Sequence, residues 1–292
     1  MKNRLFAIIL LFATYSAASQ AQILYKVERP GSDKVSYILG THHLAPLSAV
    51  DSIDELPDAI KSVDRLYGEI DMQIMSDPQN LMQFQGMMVA PQDSTLDKVL
   101  SAEQMASVQK AWQELTGTPL PEALYSFKPA IITTSISAVM VAKKFPQIDP
   151  NAGIDMTMQA RARQAGKEVK GLETIEYQMN VLYGAPISKQ AKDLVSLVSD
   201  LPKAENLSNK LFDAYVSHDI NAIYSLMEEQ AADDMEYFET LMYSRNDAWT
   251  ATLSREMADE SLMVVVGAGH LPGKRGLLQG LKNAGYTVTP VK

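Results

Sequence analysis

Two apolar runs in this chain break at the same punctuation: Val35-Ser36-Tyr37-Ile38-Leu39-Gly40-Thr41-His42-His43 near the start and Leu262-Met263-Val264-Val265-Val266-Gly267-Ala268-Gly269-His270 near the end. Each run reads as a buried strand. The Gly-x-x-His that follows reads as a sharp turn carrying an imidazole just past the strand's carboxyl end. Open α/β sheets place their ligand sites on that rim. The chain has four histidines, and three of them, His42, His43 and His270, lie in these repeats. Imidazole is the commonest protein metal ligand and the usual proton carrier near neutral pH, so the recurrence points to a site. The plain alternative is two unrelated strand-to-loop turns.

Residues 1–21 read as a secretory signal. Met1-Lys2-Asn3-Arg4 is the positive start, Leu5 to Phe12 the apolar stretch and Ser19-Gln20-Ala21 a small-x-small cleavage site, which starts the mature chain at Gln22. The expected location is therefore periplasmic or secreted. The apolar stretch is short for a membrane span and no second one follows, so no stable membrane insertion is expected after cleavage; an uncleaved anchor is the alternative. The chain has no cysteine, which removes disulfides, thiol nucleophiles and a lipid anchor on cysteine. A domain of this size buries a core without covalent staples. The formal charge is −9, and losing Lys2 and Arg4 makes the mature chain more acidic still, which argues against nucleic acid as a partner.

The mature chain shows no linker and no solenoid repeat, so one domain with helical insertions is expected over residues 22–292. Ile23 to Glu28 and Lys34 to Leu39 predict an antiparallel hairpin around Pro30-Gly31-Ser32-Asp33. Ile53 to Val63 predicts a helix with Pro57 in its first turn, and Asp64 to Ile70 a strand. Residues 77–152 are rich in methionine, glutamine and helix formers, with a helix over Ala102 to Leu115 behind the start signal Ser101-Ala102-Glu103-Gln104. Within them, Phe84 to Val89 is adaptable apolar surface, either lining a cleft or packed in a core. Ile154 to Ala165 predicts a helix ended by Gly166, then a strand over Glu168 to Leu172. Ser188 to Glu260 is mainly helical, as a lid or as plain packing. A strand over Met263 to Val266, a helix over Gly273 to Asn283 and a closing strand over Tyr286 to Val291 complete an α/β protein with a mixed sheet and two helical insertions.

His43 and His270 offer two nitrogen ligands, and a hydrolytic metal site needs a third ligand and an open position for water. Glu69 is the candidate, an ionisable group within the apolar Leu66-Tyr67-Gly68-Glu69-Ile70; an outward-facing glutamate on an edge strand is the other reading. Glu173 ends its own strand near the same rim and is a candidate supporting carboxylate or general base, or else a helix cap. Asp71 and Asp155 are further carboxylates in the region. Arg245 is a candidate carboxylate clamp or oxyanion stabiliser. Neighbouring residues diverge, so His42 is not expected to ligate beside His43, and His218 fits a turn between helices. There is no nucleophile elbow, His-Glu-x-x-His helix, dinucleotide loop or phosphate loop.

With these residues the mature chain resembles the TraB/GumN family, related to the Tiki metalloproteases. The resemblance rests on Tyr37-Ile38-Leu39-Gly40-Thr41-His42-His43, Glu69, Gly171-Leu172-Glu173-Thr174, Ser244-Arg245-Asn246 and Val266-Gly267-Ala268-Gly269-His270-Leu271-Pro272-Gly273. It implies a mixed-sheet α/β fold with two related strand-helix halves. It also implies metal-dependent peptide hydrolysis with His43, Glu69 and His270 as metal ligands. One departure falls at Ser217-His218-Asp219, where the pattern has Gly-Asp after a small residue.

The expectation is a periplasmic metal-dependent hydrolase acting on peptides or small molecules. Its site would comprise His43, Glu69, Glu173, Arg245 and His270 around a divalent ion, and the ligand types admit manganese, cobalt or zinc. The alternative is a binding protein or signalling inhibitor that uses the same cleft without catalysis. The sequence selects no oligomeric state.

Overall fold

A computed structural model describes residues 22–145, 153–232 and 234–291. The proposed signal segment and the end of the methionine-rich stretch at 146–152 lie outside the described residues. Six strands form one mixed sheet: β1 (Leu24–Glu28), β2 (Val35–Thr41), β3 (Arg65–Gly68), β4 (Glu168–Gly171), β5 (Leu262–Gly267) and β6 (Thr287–Pro290), in the order β4-β3-β5-β2-β1-β6. β1 and β2 form the expected antiparallel hairpin, and β6 adds to β1 on the far edge. β2, β5, β3 and β4 run parallel, so their carboxyl ends share one rim. The two Gly-x-x-His strands are direct neighbours, with Gly40 opposite Val266 and Thr41 opposite Gly267.

Leu262 to Val266 is fully buried, side chains of both faces alike, which accounts for a continuous apolar run rather than an alternating one. The helix Ile154–Gln164 packs on β3, β4 and β5 with Ile154, Met158 and Ala162 inward. A second apolar cluster gathers Leu96, Val108, Ile132 and Ile136 with Ala191 and Leu194. It joins the insertion between β3 and β4 to the helix Ile187–Ser199 of the insertion between β4 and β5. The helix Ala102–Thr116 starts with the capping box of Ser101 and Gln104 and ends at Gly117 in the left-handed region. Among the described residues no helix is long and apolar enough to cross a membrane.

Several boundaries differ from the sequence reading. β3 stops at Gly68, so Glu69 follows the strand rather than lying within it. Beyond Glu69 the amide of buried Gln159 takes over the backbone groups, donating to Ile70 O at 2.9 Å and accepting from Met72 N at 3.0 Å. The first long helix begins at Leu56 rather than Ile53, with Pro57 in its opening turn, where its missing N–H costs nothing. The last helix begins at Leu277 rather than Gly273, because Gly273 adopts φ 88° and turns the chain. Phe84 is buried against Ile70, Ile175 and Met179, so its helix Pro78–Met88 contributes to a core and not to a cleft.

Candidate active site

The glycine of each histidine repeat serves close approach rather than a left-handed turn, since neither Gly40 nor Gly267 has a positive φ. A Cβ on Gly40 would press on the Ala268 backbone at 3.0 Å, and one on Gly267 would come within 3.3 Å of Glu69 Oε1. The two repeats thus pack against one another and against the carboxylate. His43, Glu69, Arg245 and His270 all line one cavity of about 610 Å³ above the sheet rim.

His43 stands open to this cavity, with its side chain 72% exposed, and its Nδ1 lies 2.8 Å from Asp155 Oδ2. Asp155 also accepts a hydrogen bond from Thr41 Oγ1 at 2.6 Å, so the carboxylate ties both residues to the start of the helix Ile154–Gln164. The hydrogen bond to Asp155, followed by its charge, raises the His43 pKa to about 9. His42 turns away from that carboxylate and packs its ring against Phe212 and Tyr215, and burial lowers its pKa to about 4.

His270 is buried. Its Nδ1 lies 2.6 Å from Asn246 Oδ1, and Asn246 in turn donates through Nδ2 to Arg275 O at 2.8 Å. That second bond fixes the amide so that its oxygen faces the ring, which makes Nδ1 the donor and Nε2 the atom with the free lone pair. Burial lowers the His270 pKa to about 4, so the ring is neutral near pH 7. Trp249 packs against it at 4.6 Å between ring centroids.

Arg245 joins the remaining groups. Its Nε and Nη2 donate to the two oxygens of Glu173 at 3.0 and 2.8 Å, and Nη2 also donates to Glu69 Oε2 at 2.7 Å. Its Nη1 donates to Leu241 O at 3.0 Å and to His270 Nε2 at 3.1 Å. Every N–H of the guanidinium is therefore used. Leu241 belongs to a π-helical turn, Glu239–Tyr243, directly before the helix Ser244–Glu256 that carries Arg245. Such turns recur at functional sites.

Glu69 accepts from Gly267 N at 2.8 Å through Oε1 and from Gln178 Nε2 at 2.8 Å through Oε2. Burial alone would raise its pKa; the neighbouring charges, Arg245 among them, and the Gly267 N–H outweigh that and hold it ionised. Glu173 meets the rim because its N–H donates to Glu69 O at 3.0 Å, continuing the β3–β4 pairing by one step. Burial pushes its carboxyl up against the pull of Arg245. The cap of the following helix is the Thr174 hydroxyl and not Glu173.

His270 Nε2 and Glu69 Oε1 are 4.0 Å apart. Among the described residues no three His, Asp or Glu side chains stand as a ready-made metal site. Asp71 is taken up by Arg163 and by capping Gln73 N. His218 occupies the expected turn, at φ 60°, and its ring lies 2.7 Å from Ala49 O. Sequence reasoning gave Asp155 little weight and did not assign roles to Asn246, Gln178 and Thr41. Asp155 carried one usable signal, a carboxylate in the first turn of a helix leading into β4.

Comparison with curated proteins and with solved structures found no match. The sequence model of the TraB/PrgY/gumN family matches residues 23–290, which takes in every strand and every residue of this cluster. The chain belongs to the TraB/PrgY/gumN family.

Proposed function

We propose that this protein is an exported metal-dependent hydrolase that cleaves peptides in the cavity above the sheet rim. The observation that carries the reading is the matched treatment of two imidazoles on that cavity. His43 and His270 each have Nδ1 fixed by a side-chain oxygen, of Asp155 and Asn246, which leaves Nε2 as the ring's remaining ligand atom. Metal-binding histidines are oriented in this way. Two imidazoles and the Glu69 carboxylate are a donor set that suits manganese, cobalt or zinc. The donor types suit such an ion, and its binding asks for three adjustments: the side chains must draw together, Arg245 Nη1 must release the His270 lone pair, and His43 must give up its second ring proton.

A bound divalent ion supplies a Lewis acid and lowers the pKa of water. The chain's own groups do the rest. Arg245, held by Glu173, fixes the Glu69 carboxylate and offers positive charge to a developing oxyanion. Asp155 orients His43 at the open side, where a substrate enters. The apolar stretch and cleavage pattern of residues 1–21 support export.

A second reading, a binding protein using the same cavity without catalysis, is favoured by the full use of Arg245's donors, which closes the polar network without an ion. Stripping the protein of metal, reloading it with manganese, cobalt or zinc and screening a peptide library separates the two. Turnover that follows the metal supports the hydrolase. Tight ligand binding with no turnover under any metal replaces it with the binder.

A further inference from the structure

The cavity has two unlike halves. Its ionisable lining residues are His42, His43, Glu69, Asp155, Arg245 and His270, all gathered at the sheet rim. The other half is lined from the segments Met72–Ser76, Ile175–Tyr183 and Ile220–Ala231 and from the π-helical turn, and none of its lining residues carries a charge. Methionine recurs there at Met72, Met75, Met179, Met227 and Met242. Unbranched thioether side chains from separate segments form a wall that adapts to the shape of an apolar group.

The apolar half adjoins the polar half at Gly269, the residue before His270. A Cβ on Gly269 would come within 2.5 Å of Met227 Sδ, 2.7 Å of Met227 Cε and 3.4 Å of Met242 Cε. The bare glycine therefore lets two methionines lie beside the imidazole. A bond held at His270 places its neighbouring substituent against those thioethers, where a charge would be desolvated without a partner. A cavity of about 610 Å³ has room for a short peptide segment with a large side chain.

We propose that the cavity selects peptides by a large uncharged apolar side chain next to the bond under attack, with Met227, Met242 and Met179 as the specificity-determining residues. That a bond is attacked rests on the hydrolase reading; the selectivity itself is read from binding. The shape tolerance of the methionine wall makes leucine, methionine and phenylalanine nearly equivalent at that position. Lysine and glutamate are rejected.

The test uses the mature protein and fluorescently labelled acetyl-Ala-Ala-Xaa-Ala amides with Xaa as Leu, Met, Phe, Lys or Glu, followed by anisotropy and by product analysis. The three apolar peptides are expected to bind within a fewfold of one another and about tenfold or more tighter than the charged pair. Met227→Glu is expected to shift the Lys-to-Leu binding ratio about tenfold or more toward lysine. Met179→Glu, on a different segment, tests the same shift should Met227→Glu fail to fold by circular dichroism. Equal binding of apolar and charged peptides overturns the proposal, as does an unchanged ratio in a folded variant. Binding of none of the peptides overturns it too, including when a decanoyl amide binds instead. Selective binding without cleavage leaves the proposal standing and defeats the hydrolase reading; cleavage without selectivity does the reverse.

Discussion

Arg245 holds Glu173 through two parallel hydrogen bonds, Nε to Oε2 at 3.0 Å and Nη2 to Oε1 at 2.8 Å. The pair is buried, and its geometry is the two-pronged form that gives an arginine and a carboxylate both strength and direction. Its consequence lies in what the other prongs reach. With Glu173 anchoring one side, the guanidinium presents Nη2 to Glu69 and Nη1 to His270, so the side-chain positions of two candidate ligands depend on a carboxylate that bonds to neither of their side chains.

Replacing Glu173 by glutamine should break one of the two prongs while keeping the volume. The expected loss is about 2 kcal/mol of unfolding free energy, read from urea denaturation, because a hydrogen bond to a charged group is removed from a buried site. Metal affinity and turnover should fall with it, and Arg245→Ala should follow. Unchanged turnover and metal affinity in both variants of an active preparation would remove these two residues from the site.

The histidines should separate by burial. His43→Ala, at an open position, is expected to abolish metal-dependent cleavage and to cost less stability than His270→Ala, about 1 kcal/mol for the partner that Asp155 loses. His270→Ala should abolish it as well and also destabilise by about 2 kcal/mol, since Asn246 and Arg245 each lose a partner inside the protein. His218→Ala is the control, with stability lowered by about 1 kcal/mol through the lost contact to Ala49 O and activity retained. Full cleavage by either of the first two variants would sink the catalytic assignment.

Asp155→Asn tests the orientation of His43. The substitution keeps the size but removes the charged acceptor that Thr41 and His43 share. Metal affinity, measured by competition with a chelating dye, should weaken by about 10- to 100-fold, and the melting temperature should fall as the charged acceptor is lost. An affinity equal to that of the parent would mean that His43 is not a ligand positioned by Asp155.

A pH effect is expected at the base of the sheet. Asp64 Oδ2 accepts from Ser261 N at 2.8 Å, which with Lys34 lowers its pKa in the folded protein. A depressed carboxyl stabilises the fold above the ordinary carboxylate pKa, and that contribution is lost as pH falls through the folded value. The melting temperature difference between the parent and Asp64→Asn should therefore be largest near neutral pH and shrink as pH falls through the lowered pKa of Asp64. A difference that grows on acidification would contradict the sign.

The sequence by itself determined the strands on both sides of the histidine repeats, the helix Ala102–Thr116 with its capping box, and the convergence of two imidazoles on one sheet rim. These features are encoded within a few residues, as apolar runs, cap side chains and glycines at strand ends, so local reading recovers them. Tertiary structure decided what each imidazole touches. Asp155 meets His43 across 112 positions, and Arg245 meets Glu69 across 176, because the insertions fold back over the parallel strands and bring helix starts to the rim. No periodicity marks such a pairing. Nor could local reading place Met227 against Gly269, since that contact exists only where a helix of the second insertion crosses the turn after β5.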